Sequence, residues 1–239
     1  MEDNPEPEEG FIDTLFNKIA WRYDIVNSLM SFGLDRRWRA LAVKHAKMKK
    51  GGYALDICCG TGMLTKVLAS VGGKSGKVIG LDLSKNMIEV AQERMKEFPL
   101  KENVRFMQGN AMQLPFEDNT FDCVTVGWGL RNVSNLHRVL REMTRVVKPG
   151  GMVVSLDMAK PTAPIFSKIY WFYLRNIVPL IGKVVVGEGE AYVYLYESAR
   201  LFLSAPELTL AFADAGLTNC NYNPIMGGVV AIVQGEKGR

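Results

Sequence analysis

The sequence has little of what several kinds of site require. Its two histidines, His45 and His137, lie far apart, so no histidine-based metal site is expected and no metal cofactor is assigned. Its four cysteines are Cys58, Cys59, Cys123 and Cys220. The adjacent pair cannot form an ordinary disulfide, and no C-x-x-C pair occurs. All four read as small buried residues in a reducing compartment. The N-terminus has no basic segment followed by an apolar one, so no secretory signal is read and a cytoplasmic location is expected. No stretch suits a membrane span. The longest charge-free run, 215–235, contains three asparagines, a proline and a Gly-Gly pair, a composition for a strand hairpin. No basic and aromatic motif for nucleic acid appears.

What is present describes an ordinary globular chain. The 239 residues are 48% hydrophobic and 23% charged, which excludes wholesale disorder and suits one large α/β domain with additions. The net charge of +4 conceals a split. Residues 1–10 carry five acids and no base, leaving 29 basic residues against 20 acidic ones in the remainder. Residues 1–10 are expected to be a disordered acidic tail, 11–50 a helical lid, and 51–239 the main domain.

Apolar periodicity alternates between strand and helix. Short apolar runs at 54–59, 77–82, 104–109, 121–128 and 151–158 read as strands. Between them, Ser84 can cap a helix that places Met87, Ile88, Ala91 and Met95 on one face. From Asn135 the spacing of Leu136, Val139, Leu140, Met143, Val146 and Val147 is helical, and Lys148-Pro149-Gly150-Gly151 ends it. A capping box at Ser204–Glu207 opens the last helix, and strands near 218–224 and 229–235 close the chain. Strands separated by helices predict a mostly parallel sheet covered on both faces, with ligands at the carboxyl ends of the strands.

The chemistry gathers at those ends. Asp56-Ile-Cys-Cys-Gly60-Thr61-Gly62 joins the first strand to a helix, and its glycines let a ligand approach the backbone and the free N–H groups of the helix start. Asp82, with Leu83 beside it, ends the second strand, where an acid accepts hydrogen bonds from ribose hydroxyls. A dinucleotide fits poorly. Thr65 replaces the third glycine of that fingerprint, and Asp56 would repel a pyrophosphate while suiting an α-ammonium group. Asn110 and Ala111 follow the third strand, where an adenine edge can be read. Ribose acid, ammonium acid and adenine pocket together describe S-adenosylmethionine (SAM). Gly73-Lys74-Ser75 lacks the earlier glycine of a P-loop and reads as a plain loop.

Further segments extend the pattern: Phe16-x-x-Ile-Ala-x-x-Tyr23-Asp24-x-x-Asn27, Leu29-Met-Ser-Phe-Gly33, LDICCGTG at 55–62, GNAMQLPF-x-DNTFD at 109–122, GLRNV at 129–133, Tyr194-Leu-x-Glu197-Ser198 and GGVVA at 227–231. On these, from about Phe11 to Gly235, the chain resembles the ubiquinone/menaquinone-biosynthesis C-methyltransferases. The resemblance implies a Rossmann-like SAM-dependent methyltransferase fold, with a seven-stranded sheet, an N-terminal helical lid and a helical insertion. It implies cofactor contacts at Thr61, Asp82, Asn110 and Ala111, and methylation of a polyprenyl quinol, demethylmenaquinol before a ubiquinone-pathway benzoquinol. The chain departs from the family pattern at Gly127, usually serine, so that any cofactor contact there is through backbone. Trp128 stands for the usual phenylalanine and Val233 for the usual histidine, all three changes being expected near the acceptor.

Methylating an aromatic carbon needs an electron-rich ring, so a protein must hold the reduced quinol, exclude water and stabilise a developing naphtholate. Arg131 is the expected catalytic group, as a charge and not as a base. Asn132 shapes the same loop, and Tyr23, Asn27 and Tyr194 are the expected acceptor contacts. Residues 162–203 form an apolar insertion suited to a prenyl tail. Arg36–Lys50 carries seven basic residues and no acid, with Trp38, Leu41, Ala42 and His45 at helical spacing, a pattern that can rest on anionic lipid. The oligomeric state is open, a homodimer included. Three other readings remain open: a SAM-dependent methyltransferase for another small hydrophobic acceptor, a nicotinamide oxidoreductase and a non-catalytic partner subunit.

Overall fold

The computed structural model describes residues 23–185, 187 and 189–239; the acidic tail and residues 11–22 of the expected lid lie outside them. Seven strands form one sheet in the order β3-β2-β1-β4-β5-β7-β6. They are β1 (Tyr53–Ile57), β2 (Lys77–Asp82), β3 (Val104–Gln108), β4 (Phe121–Gly127), β5 (Val147–Met158), β6 (Leu217–Ile225) and β7 (Val230–Lys237). All pair in parallel except β7, which runs antiparallel to both β5 and β6. The order reverses between β1 and β4, opening a crevice at their carboxyl ends.

The strand residues sort by the two-residue period. Leu55, Ile57, Leu81, Val124 and Val126 share one core with Leu140, Met143 and Phe212. Ala54, Val78 and Cys123 share the opposite core with Trp38, Ala42, Leu64 and Leu68. Each fully buried Leu or Phe here contributes about 1.5–3 kcal/mol relative to exposure. The helices before the insertion are α1 (Tyr23–Met30), α2 (Asp35–His45), α3 (Met63–Gly72), α4 (Lys85–Met95) and α5 (Leu136–Val146), of which α2 and α3 supply the second core and α5 the first. Ser84 and Asn135 cap α4 and α5 by accepting from Met87 N–H and Arg138 N–H, and Gly73–Ser75 is one 3-10 turn before β2. The fifth strand is longer than its apolar run, because Val147 already pairs with Phe121 across a register shift in the Pro-Gly-Gly segment.

The insertion folds as α6 (Pro164–Phe172) and α7 (Val178–Val185), joined by a π turn at Tyr173–Ile177. Pro179 has no N–H and crowds the carbonyl four residues back at Arg175, which widens the helix there. Next come α8 (Glu190–Leu201) and α9 (Ala205–Asp214), the latter opened by the Ser204–Glu207 capping box. Val26 of α1 packs with Tyr170, Leu174, Val178 and Tyr192 in a small separate core, so α1 and the insertion make one cap.

The basic segment differs from its expected form. Its helix ends at His45, and the apolar residues meant for lipid face inward: Trp38 and Ala42 are buried in the sheet core, and His45 Nδ1 lies 2.6 Å from Gln234 Oε1. A helix packs one apolar stripe at a time, so α2 turns its charges at Arg36, Arg37 and Lys44 outward, and Lys47 just past it is exposed as well. Val233 is likewise no acceptor residue. It pairs with Ser155 inside the sheet and is 1% exposed.

Candidate active site

Two cavities open at the carboxyl ends of the strands. The first is a cleft of about 1140 Å³, its open mouth included, walled by the segments that follow β1, β2, β3 and β4. The turn after β1 is held in a conformation that favours glycine. Gly60 and Gly62 have φ of 53° and 78°, and Cys58 between them and β1 has φ of 48°. A Cβ at Gly62 would come 2.7 Å from Phe106 Cζ, whereas one at Gly60 would meet only open space. The first glycine permits packing and the second leaves room for a ligand against the backbone.

Asp82 fastens this turn. Its carboxylate accepts from Gly60 N–H at 2.7 Å and Ser84 N–H at 2.9 Å, and it faces the cleft beside Leu83. Asp56 is completely buried. Its two oxygens accept from the hydroxyls of Thr125 at 2.8 Å and Thr65 at 2.6 Å. Burial lifts its carboxyl to about 7 against the pull of those hydroxyls. Asn110 Oδ1 accepts from Met112 N–H at 2.8 Å, fixing the loop that brings Ala111 to the cleft. Gly127, whose departure from the family pattern suggested the acceptor side, lines this first cleft and not the second cavity, because it is the last residue of β4 at the crevice. These residues fit SAM: an acid at the ribose position, a glycine turn open to a ligand and a buried acid beneath it.

The lid reaches the cleft through Asp24, a residue inside the quoted motif that spacing alone did not single out. Thr61 donates to Asp24 at 2.8 Å, and Arg94 of α4 pairs with the same carboxylate. One side chain of α1 thus ties the cofactor turn to α4. Asn27, one turn on, lines the second cavity. Tyr23 begins α1, and its side chain lies outside the described residues.

The second cavity, about 1100 Å³ with its mouth, is walled mostly by apolar side chains of α1, α2, α6 and the β7 approach. Arg39 and Trp128 belong to the walls of both cavities. The Arg39 guanidinium sits 5.0 Å from the Trp128 ring centroid, a cation–π contact, and pairs with Asp35. Arg39 was hidden in the basic run: it is the member of that run that turns inward, and only the acid four residues earlier marks it.

Arg131 lines this second cavity, and its side chain is 4% exposed. Its guanidinium donates to the Asp157 carboxylate at 2.7 Å and to the Trp128 carbonyl at 2.8 Å. It is therefore half of a buried ion pair and not a lone charge. Asn132 faces the cofactor cleft instead and accepts from the Tyr194 hydroxyl at 3.1 Å. Tyr194 lines neither cavity. It stands behind Asn132 because α8 packs on the loop after β4.

A model of the ubiE/COQ5 methyltransferase family matches residues 4–237. The demethylmenaquinone methyltransferase of Desulfitobacterium hafniense (strain Y51) is 50% identical over 239 residues, covering all of this chain and 94% of that one. That of Geobacillus sp. (strain WCH70) is 46% identical over 232 residues, 97% of this chain and 99% of its own. The fold is shared with a crystal structure of a SAM-dependent methyltransferase from Aquifex aeolicus, at a TM-score of 0.60, 22% identity, and coverage of 82% of this chain and 88% of that one. On the match over nearly its whole length, the chain belongs to the ubiE/COQ5 methyltransferase family.

Proposed function

We propose that this chain methylates a ring carbon of a polyprenyl quinol, converting demethylmenaquinol to menaquinol with SAM. The observation that carries this reading is the second cavity. It is large, almost wholly apolar, and shares the Trp128 and Arg39 wall with the cofactor cleft. A flat hydrophobic acceptor in one cavity would meet a methyl donor in the other where the two adjoin, beside Trp128 and Arg39. The names of the full-length relatives support the naphthoquinol over the benzoquinol.

SAM supplies an electrophilic methyl group. The protein's part is placement and electrostatics. Asp82 accepts from the ribose hydroxyls while it holds the Gly60 turn. Asp56 serves the ammonium end. Asp24 keeps α1 closed over Thr61, and the cap excludes water. The Arg131–Asp157 pair sits at the acceptor ring, where Arg131 steadies charge on the ring oxygen without leaving an unpaired cation in an apolar cavity.

The insertion also supports a membrane route for the lipid. Ile165, Ile169, Phe172, Leu180 and Val184 are exposed on α6 and α7, and Phe32 after α1 is 78% exposed. Phe32 and Ile169 also line the acceptor cavity. The apolar contact with lipid falls to this cap, and the outer charges of α2 add attraction to an anionic surface. Among the described residues no helix is long and apolar enough to cross a membrane.

The test is a mass-spectrometric assay of the full chain with SAM and either demethylnaphthoquinol or a polyprenyl benzoquinol that lacks the ring methyl, each kept reduced. Methylation of the naphthoquinol at least tenfold faster supports the reading. Equal rates, or transfer to neither quinol, overturn it. Liposome flotation tests the route: Phe172→Ser with Val184→Ser should release the protein from anionic vesicles, and unchanged recovery would remove the cap from the docking surface.

A further inference from the structure

Two polar groups at the acceptor cavity, one on its wall and one directly behind it, have incomplete bonding. Tyr170 lines the cavity wall, is 6% exposed, and its hydroxyl has no hydrogen-bond partner among the described residues. Asp157 is 2% exposed. One oxygen accepts from Arg131 and from Met158 N–H, and the other, Oδ2, has no partner among the described residues. A buried, half-bonded carboxylate and a buried, unbonded phenol each forfeit a hydrogen bond on folding. Tyr170 is on the wall, and Asp157 lines neither cavity but bonds to two wall residues, Arg131 and Met158. The pair thus stands at the edge of the space where this chain would need to recognise an oxygen and accept a proton.

We propose that Asp157 receives the proton of the acceptor's ring hydroxyl while Tyr170 donates a hydrogen bond to that oxygen. The inference rests on the quinol reading above. The roles follow from the groups. Arg131 cannot be a base. Burial pushes the Tyr170 phenol well above its usual range, so it stays a donor at working pH. Burial also raises Asp157, although Arg131 pulls the other way, bringing a carboxylate closer to the range useful for a base. The groups around Asp157 are Arg131 after β4, Tyr170 on α6 and the Cys58 thiol after β1. Each of the last two senses the Asp157 charge, and Tyr170 senses Arg131 as well.

The balance closes with one proton. The O–H bond breaks, its electron pair stays on the ring oxygen, and Asp157 becomes a carboxylic acid. The ring carbon bonds to the methyl group as the sulfur–methyl bond breaks, leaving its pair on sulfur. The hydrogen on that carbon returns to the oxygen and restores the aromatic quinol. Asp157 then releases its proton to solvent, the one proton that the reaction yields. With Arg131 the pair is neutral before the step and a net cation after it, opposite a naphtholate that Arg131 and Tyr170 both face.

The experiment compares wild type, Asp157→Asn, Asp157→Glu and Tyr170→Phe with reduced demethylnaphthoquinol across pH 5–9. Affinity for S-adenosylhomocysteine and for 1-naphthol is measured by calorimetry on the same proteins. Asp157→Asn should lower kcat by about 100-fold or more and abolish the acid limb of its pH profile, with S-adenosylhomocysteine affinity unchanged. Asp157→Glu should restore a shifted acid limb. Tyr170→Phe should weaken 1-naphthol binding about 5- to 10-fold and leave the limb in place. An Asp157→Asn variant that binds S-adenosylhomocysteine normally and keeps both its rate and its acid limb overturns the assignment. So does loss in both Asp157 variants of S-adenosylhomocysteine binding, which marks a purely structural role. A wild type that methylates neither quinol overturns instead the reading on which the inference rests.

Discussion

The two cavities are built by different means. The cofactor cleft is made of loops that each follow one strand, and its key bonds are local or between neighbouring strands: Gly60 and Ser84 N–H to Asp82, Met112 N–H to Asn110. The acceptor cavity is assembled from side chains as far apart as Asn27 and Val230, and its walls are also the core of the cap. Backbone geometry sets the first; tertiary packing sets the second. A substitution in the cleft should therefore change binding while sparing the fold, whereas one in the acceptor cavity should disturb both.

The largest expected effect is at the ion pair. Arg131→Met leaves Asp157 buried and unpaired, a situation that costs about 3–5 kcal/mol. Urea denaturation should show that loss, and its size should shrink below the pH at which Asp157 becomes protonated. Arg131→Lys keeps a charge but not the forked geometry. It should retain S-adenosylhomocysteine affinity and lose most turnover. On the cleft side, Asp82→Ala removes the proposed ribose acceptor and the fastening of the Gly60 turn. Two bonds to a charged group predict at least 100-fold weaker S-adenosylhomocysteine binding by calorimetry, with little change in unfolding midpoint. A stability loss as large as that of Arg131→Met would erase the contrast between the cavities.

Gly182 sharpens the contrast from the other side. A Cβ there would come 1.9 Å from Tyr192 Cδ2, inside the α7–α8 contact of the cap. Gly182→Ala must push the helices apart, at about 1–3 kcal/mol. It should raise the KM for the quinol about tenfold and leave S-adenosylhomocysteine affinity within twofold. The same difference explains what could be read in the sequence. Strand runs, the Ser84 cap, the helical spacing from Asn135, the glycine turn and Asp82 are short-range patterns, and the structure carries them at the positions their spacing implies. The acceptor side was legible only in part. Arg131 could be named, but its partner Asp157 is 26 residues away on another strand, and spacing gave no reason to join them. Arg39 looked like one more charge of a basic face, and Trp38 like part of a lipid-facing stripe. Only the packing of α2 on the sheet turns both inward. Tyr170 was one aromatic among many until α6 set its hydroxyl in the cavity.

The smallest expected effect concerns Asp56, which belongs to the cleft yet is buried like an acceptor-side residue. Its carboxyl lies near 7 in the folded protein and near 3.8 when exposed. Between those values the native state holds a proton that the unfolded chain has lost, so its stabilising contribution is complete below 3.8 and declines as pH rises through 7. Asparagine does not ionise. The melting temperature of Asp56→Asn should therefore improve relative to wild type as pH goes from 5 to 8. Saturating S-adenosylhomocysteine separates the two roles of the residue. If its ammonium group faces Asp56, the bound cation draws the carboxyl back down, and the pH dependence of the wild-type melting temperature flattens when the ligand is present. If the dependence keeps its slope, Asp56 serves only the hydroxyls of Thr65 and Thr125, and the cleft holds the ammonium group by backbone alone.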